Sequence, residues 1–186
     1  MNTIISDLIK NFTSQYVAKW QEATGLPPVS AELYGVPSPC IVRTGDDVVY
    51  WEPQPFPLEE KSLNNVANAL DLQLQDDIHA FYTTQLAGDM SATFGDLSLN
   101  LVQVWSEEDF IRLQENLIGH LVTQKRLKLA PTLFIATLDS ELEMISMCNL
   151  TGEIIVETFG SKQRQVIAEN LASFIQQLKP VISSQG

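Results

Sequence analysis

The sequence predicts an α+β fold in one domain, with a central mixed or antiparallel sheet flanked by helices. Three observations carry this. Strand-like runs cluster in the middle of the chain, segments of helical spacing flank them, and no regular βαβ succession occurs. The 186 residues, 45% of them apolar, suffice to bury one core, so residues 1–186 are read as a single domain.

Between residues 3 and 23, Ile5, Leu8, Phe12, Tyr16 and Trp20 recur three or four apart, which predicts an amphipathic helix packed on the body. Its polar face mixes Asp7, Lys10, Lys19 and Glu22, unlike the basic face of a membrane-surface helix. Gly25, Pro27 and Pro28 end it, and Ser30 opens a short turn through Glu32 and Leu33 before Gly35-Val36-Pro37-Ser38-Pro39 forces an extended path. The runs CIVR and DVVYW flank Thr44-Gly45-Asp46 as a hairpin. Pro53, Pro55 and Pro57 exclude a central strand and predict a stiff, polyproline-like loop anchored by Phe56.

Helices are expected at 62–70 and 77–85, the second with Ile78, Phe81, Tyr82 and Gln85 at helical spacing. Leu97, Leu99 and Leu101 alternate with polar residues and Phe94-Gly95-Asp96 supplies a turn, which predicts a second hairpin. Ser106-Glu107-Glu108-Asp109 starts a helix, with a hydroxyl N-cap and negative charge at the positive dipole end. That helix runs to about Leu129, where Lys125, Arg126 and Lys128 suit a C-terminus and Pro131 blocks extension. TLFIATL, ELEMISMCNL and EIIVETF read as strands, the last two joined through Thr151-Gly152. Residues 161–178 are expected to form a closing helix carrying Val166, Ile167, Ala168, Leu171, Phe174, Ile175 and Leu178.

Catalytic chemistry finds little support. The two histidines, His79 and His120, sit in helical patterns without Asp, Glu or His at metal-ligand spacing, and no nucleophile elbow, P-loop or dinucleotide turn is present. GDDVVY and GDLSLN lack the ordered ligands of a calcium loop. The chain is therefore read as no enzyme, with no metal and no cofactor. Cys40 and Cys148 stand alone in apolar runs and read as small core residues. No run of about 18 apolar residues occurs, and Asp7 and Lys10 interrupt the first segment, so a cytoplasmic location is expected. The sequons at Asn11 and Asn149 are then chance matches.

Charge is the informative feature. The net charge is −12, and the segment from Thr44 to Asp109 holds thirteen acids against one base, Lys61. The remaining 120 residues balance, ten acids against ten bases. Nucleic acid is excluded as a partner because phosphate recognition needs clustered Lys and Arg, and direct binding to anionic lipid is not expected for the same reason. An acidic region without a catalytic kit fits a basic protein partner, and short cytoplasmic loops of membrane proteins are rich in Lys and Arg.

Seven segments carry a resemblance: ELYGVPSPCIV (32–42), VYWEPQPF (49–56), HAFYTTQLAGDM (79–90), FGDLSLNL (94–101), WSEEDFIRLQENLIGHLVTQKRLKL (105–129), PTLFIATL (131–138) and CNLTGEI (148–154). Together they resemble the Syd family of SecY-interacting proteins from gammaproteobacteria. The resemblance implies a single α+β domain held peripherally at the cytoplasmic side of the inner membrane through SecY. It also implies a concave acidic surface that receives basic cytoplasmic loops of the channel, and a role in monitoring or modulating translocon assembly. Asp46, Glu52, Asp89, Asp96 and Glu108 lie in or beside these segments and are the first candidates for that surface, followed by Asp47, Asp76, Asp77 and Glu107. Tyr34, Trp51, Phe56 and Tyr82 are candidates for apolar or cation–π contact with incoming Lys or Arg, with a core role as the alternative for each. A monomer is expected. An immunity or inhibitor module that binds a basic toxin is the alternative function.

Overall fold

The computed structural model describes residues 3–182. Helix α1 (Thr3–Thr24) buries Ile5, Ile9, Phe12, Tyr16 and Trp20 along one stripe. It stops where Gly25 adopts φ +73° and donates its N–H to the Gln21 carbonyl at 2.8 Å. Strands β1 (Val29–Ser30), β2 (Ile41–Thr44) and β3 (Val49–Trp51) make a small antiparallel sheet in the order β1-β3-β2. This is the anticipated hairpin plus a strand too short to show any period. The Ser30 hydroxyl accepts the Leu33 N–H at 3.2 Å and so caps the turn that follows.

The proline-rich loop contributes only β4 (Gln54–Pro55), a two-residue pairing with β5 (Gln85–Leu86), as expected where proline removes ladder donors. Between them lie α2 (Asn64–Leu70) and α3 (Asp76–Thr83). Gln85 is outside α3, contrary to the helical spacing, because its side-chain amide is drawn inward to donate to Thr13 Oγ1 at 2.7 Å and Gln103 Oε1 at 3.1 Å. Strands β6 (Met90–Phe94) and β7 (Leu97–Leu101) form the second hairpin, closed by Gly95 at φ +59° and Asp96. Helix α4 (Glu107–Arg126) starts as expected, the Ser106 hydroxyl accepting the Asp109 N–H at 3.1 Å.

Strands β8 (Thr132–Thr137), β9 (Glu143–Cys148), β10 (Ile154–Thr158), β11 (Arg164–Ala168) and, after helix α5 (Leu171–Gln176), β12 (Lys179–Pro180) complete the fold. They join β6 and β7 in a seven-stranded sheet, ordered β11-β10-β9-β8-β7-β6-β12, in which every described pairing is antiparallel. Helix α1 packs on α3 and α5, and α4 packs on α2 and β8. Cys40 and Cys148 are buried free thiols.

The closing helix expected at 161–178 is half strand. Ile155 and Glu157 pair with Val166 and Arg164, and only after Asn170 caps the Ser173 N–H at 2.8 Å does α5 begin. Partners remote in sequence decide this. Arg164 donates Nη2–H to the Ala130 carbonyl at 2.8 Å and lies 3.5 Å from Glu157 Oε1, contacts that local spacing cannot report.

Glu157 is the anchor between α4 and the sheet, and it is only 2% exposed. Thr132 Oγ1–H donates to its Oε2 at 2.6 Å, and Thr132 is itself held by Gln124, which receives the Thr132 N–H at 2.9 Å. His120 Nε2 is 3.0 Å from Thr132 Oγ1 and 3.6 Å from Glu157 Oε2. Burial pushes the Glu157 carboxyl up, but the His120 and Thr132 groups, with the Ser146 hydroxyl alongside, outweigh it and hold the group below the usual carboxylate range. A depressed carboxyl stabilises the fold above its unfolded-state pKa, and that contribution is lost as pH falls through the folded-state value. Replacing Glu157 with Gln is therefore expected to lower unfolding free energy by roughly 2–3 kcal/mol near neutral pH. Urea titration measures this, and the deficit relative to the parent chain should shrink as the buffer is acidified below about pH 4.

Candidate functional site

All three tryptophans of the chain converge on one hollow of about 570 Å³. Helix α1 supplies Trp20 and Tyr16, β3 supplies Trp51, and the loop entering α4 supplies Trp105. The Tyr16 and Trp51 rings are stacked at 6.2 Å and 21°, while Trp105 meets Trp51 edge-on at 6.3 Å. Trp105 is fixed on both sides, its Nε1–H donating to the Val36 carbonyl at 2.9 Å and the Ser38 hydroxyl donating to its carbonyl at 2.6 Å. Gly88 brings the backbone against Trp51 so closely that a Cβ there would lie 2.8 Å from the ring. The result is a rigid base of packed rings, each nearly fully buried beneath a mainly polar lining.

Three carboxylates stand over it: Glu32 from the turn after β1, Asp89 from the link between β5 and β6, and Asp109 from the first turn of α4. Among the described residues, no Lys or Arg lines the hollow. Asp89 Oδ1 accepts the Gln103 N–H at 3.1 Å, and Asp109 Oδ2 accepts the Trp105 N–H at 2.8 Å. Arg112 reaches Asp109 Oδ1 at 3.5 Å from a side chain that is 62% exposed, so it neutralises little. Confinement by surrounding protein pushes the Asp89 carboxyl up to about 6; the Gln103 amide opposes this and the Asp109 and Glu32 charges add to it. Asp89 is nonetheless exposed to water, because the hollow is open at its mouth. The upward direction therefore stands while solvent screening weakens its energetic weight.

The first-named acids do not all share this hollow. Asp89 is in it, and Trp51 forms part of its floor at 2% exposure. Asp96 lines a neighbouring hollow with Asp139 and Glu143. The two are linked along β7, where Asn100 lines one and Ser98 the other; residues two apart on a strand share a face, about 7 Å apart. Asp46 and Asp47 are exposed in the β2–β3 turn, and Glu52 is exposed just beyond β3. Glu107 and Glu108 are exposed in the first turn of α4, Glu107 beside Glu60 in a third depression. Asp76 and Asp77 open α3, Asp76 within a pocket that also holds Asp7, Lys10 and Lys61.

Among the aromatic candidates only Tyr34 is open, at 46% exposure. Phe56 and Tyr82 are core residues with no face for a partner: Phe56 meets Phe110 edge-on at 5.0 Å, and the Tyr82 hydroxyl donates to the Phe134 carbonyl at 2.7 Å. Both histidines have structural partners. His79 Nδ1 accepts the Leu63 N–H at 2.8 Å, burial lowering its pKa against the opposing charge of Asp76, and His120 belongs to the Glu157 network. Glu32 lies outside the acid-rich segment and Asp109 reads locally as a helix-start acid, so neither stands out in the sequence as a partner-binding acid. The one sequence signal for Glu32 is its place at the head of ELYGVPSPCIV.

The raised Asp89 carboxyl has a definite consequence for stability. Its folded-state pKa exceeds the ordinary 3.8, so its contribution to stability is fully present below that value and is lost as pH rises through about 6. Asp89→Asn keeps an oxygen for the Gln103 N–H and removes the charge. The variant is expected to melt at a higher temperature than the parent at about pH 7.5, with the difference closing by about pH 4, as read by calorimetry. In the parent, carboxyl NMR should place the Asp89 midpoint near 6 and show it falling when Asp109 is replaced by Asn.

Comparison with known proteins agrees over nearly the full length. A sequence model of the Syd protein (SUKH-2) family matches residues 6–180. The chain is 63% identical to Protein Syd of Photorhabdus laumondii over 178 residues, covering 95% of this chain and 96% of that one. It is 58% identical over 182 residues to Protein Syd of Shigella boydii and of Escherichia coli O1:K1, covering 98% of this chain and all of theirs. The chain belongs to the Syd family.

Proposed function

We propose that this protein is a non-enzymatic partner of the SecY channel, held peripherally at the cytoplasmic side of the inner membrane by binding the channel's basic cytoplasmic loops. The observation that carries this is the hollow in which Glu32, Asp89 and Asp109 stand over packed rings, with no Lys or Arg among its described lining residues and only the exposed Arg112 reaching Asp109 from outside. Low-dielectric walls beneath like charges focus the field, which raises encounter rates for a cationic loop by roughly 10 to 1000 fold. The acids of the adjoining depression, Asp96, Asp139 and Glu143, extend the negative face from the β6–β7 turn to the start of β9. Each open ion pair contributes only about 0–1 kcal/mol, so binding is fast, reversible and distributed over several acids. That kinetic character suits monitoring of translocon assembly better than permanent membership in it. Attachment runs through protein, since no described helix is long and apolar enough to cross a membrane and the net charge of −12 repels anionic headgroups.

Reversal of Asp89 and Asp96 together to Lys tests the proposal. The doubly substituted protein is expected to lose co-sedimentation with SecY-enriched inner-membrane vesicles while its far-UV circular dichroism stays that of the parent. Normal pelleting of a folded double variant would overturn the acidic-face assignment.

A further inference from the structure

We propose that the open edge of β11 takes up an extended segment of the partner as an added strand, with basic side chains of that segment laid over the hollow that holds Asp96, Asp139 and Glu143. This deepens the channel-binding function proposed above and rests on it. The seven-stranded sheet ends in two unlike edges. At one, β12 is two residues long, Pro180 has no N–H to offer, and Lys19 Nζ already donates to the Pro180 carbonyl at 3.0 Å. At the other, β11 runs from Arg164 to Ala168 without a proline, and the cation that could guard it, Arg164, is turned inward to the Ala130 carbonyl and Glu157. The ladder fixes which groups of β11 face out. Thr158 N–H donates to the Gln163 carbonyl at 3.3 Å and Val156 pairs with Gln165, so by the alternation of an antiparallel ladder Gln163 and Gln165 turn their backbone groups to β10. The far side of β10 agrees: Cys148 N–H donates to the Glu153 carbonyl at 2.8 Å, which leaves Val156 and Thr158 to bond β11. Arg164 and Val166 therefore present backbone N–H and C=O outward, and among the described residues no hydrogen bond reaches those groups. A register shift after Val166 keeps the free run short.

The surroundings of this edge select its occupant. Gln165 and Ile167 of β11 line a hollow of about 700 Å³ together with Val156, Leu138 and the β6–β7 residues Phe94 and Leu97. Unlike the rings beneath Asp89, these apolar side chains are only half-buried. Asp96, Asp139 and Glu143 stand around them, and no described Lys or Arg lines this hollow. A strand laid beside β11 sends every second side chain to the Gln165–Ile167 face. Lys or Arg at those positions covers the half-buried apolar surface with its methylene stem and brings its charged head to the carboxylates. The intervening side chains meet Val166, which is 53% exposed and suits a β-branched neighbour. The edge thus fits an extended chain in which basic and β-branched residues alternate, held through its main chain as well as its charge.

The test uses the full chain and the capped peptide Ser-Lys-Val-Lys-Val-Lys-Ser, with two further forms N-methylated either at the Lys or at the Val amides. Only one of those alternate sets can face β11, so one methylated form is expected to lose about tenfold in affinity while the other binds as the unmodified peptide does. Adding the unmodified peptide should protect the Arg164 and Val166 amides of the chain from hydrogen exchange, read by NMR. Val166→Pro removes an outward donor and no bond to β10; it should weaken the peptide about tenfold with the far-UV circular dichroism unchanged. If that variant does not fold, amide exchange in the parent chain decides. A peptide that leaves both amides unprotected, or that responds equally to methylation of either set, overturns the proposal. So does a parent chain that sediments as a dimer and becomes a monomer as Val166→Pro, which would assign the edge to a second copy. SecY-enriched vesicles that pellet the parent chain while the peptide leaves the amides unprotected would keep the channel function without strand addition. Protected amides with vesicles that leave the parent chain in the supernatant would keep strand addition and remove the channel function.

Discussion

Like charges gathered in one hollow, offset by nothing but the exposed Arg112 on Asp109, are the constraint on which the candidate site depends. Glu32, Asp89 and Asp109 share a depression that no described Lys or Arg lines, and Asp89 resists ionisation chiefly because protein surrounds it, with the Asp109 and Glu32 charges adding to the effect. Backbone N–H groups from Gln103 and Trp105 hold two of the three carboxylates in place without neutralising them. Such an arrangement opposes folding near neutral pH, a cost that the binding role proposed for this surface would account for.

A second carboxylate in the same chain shows what folding alone would select. Glu157 is only 2% exposed, yet its ionised form is favoured, because the His120, Ser146 and Thr132 side chains face it and outweigh the burial. The two residues carry the same functional group into confined places and emerge with opposite shifts; the difference is entirely in the neighbours. Glu157 locks α4 and β11 onto the sheet, and the locked frame in turn holds Trp105 at the head of α4 and Trp51 against Gly88. Rigid elements thereby position a site whose own charges repel.

Much of the fold was legible in the sequence and less of the site. Helices α1 and α4 announced themselves by apolar spacing and by the Ser106 cap, and the hairpin at Gly95 by its turn. The closing helix was misread because Val166-Ile167-Ala168 is a continuous apolar run that fits both periods, and the deciding contact, Arg164 with Glu157 and the Ala130 carbonyl, comes from remote segments. The two-residue strands β1, β4, β5 and β12 were invisible for the same reason. At the site, acid-rich composition pointed to Asp89 but could not pair it with Glu32, which is 57 residues earlier in a charge-balanced segment. Nor could it show that tryptophans from a helix, a strand and a loop end side by side. Chain spacing does not encode that convergence.

The most direct measurement of the central claim is the affinity of the parent chain for SecY-enriched vesicles as salt is raised from about 50 to 500 mM, a range over which screening between open charges becomes nearly complete. Recognition through an uncompensated acidic hollow requires the association rate and the affinity to fall steeply across it. Affinity that stays level would contradict the account, because contacts indifferent to ionic strength would have to be doing the binding.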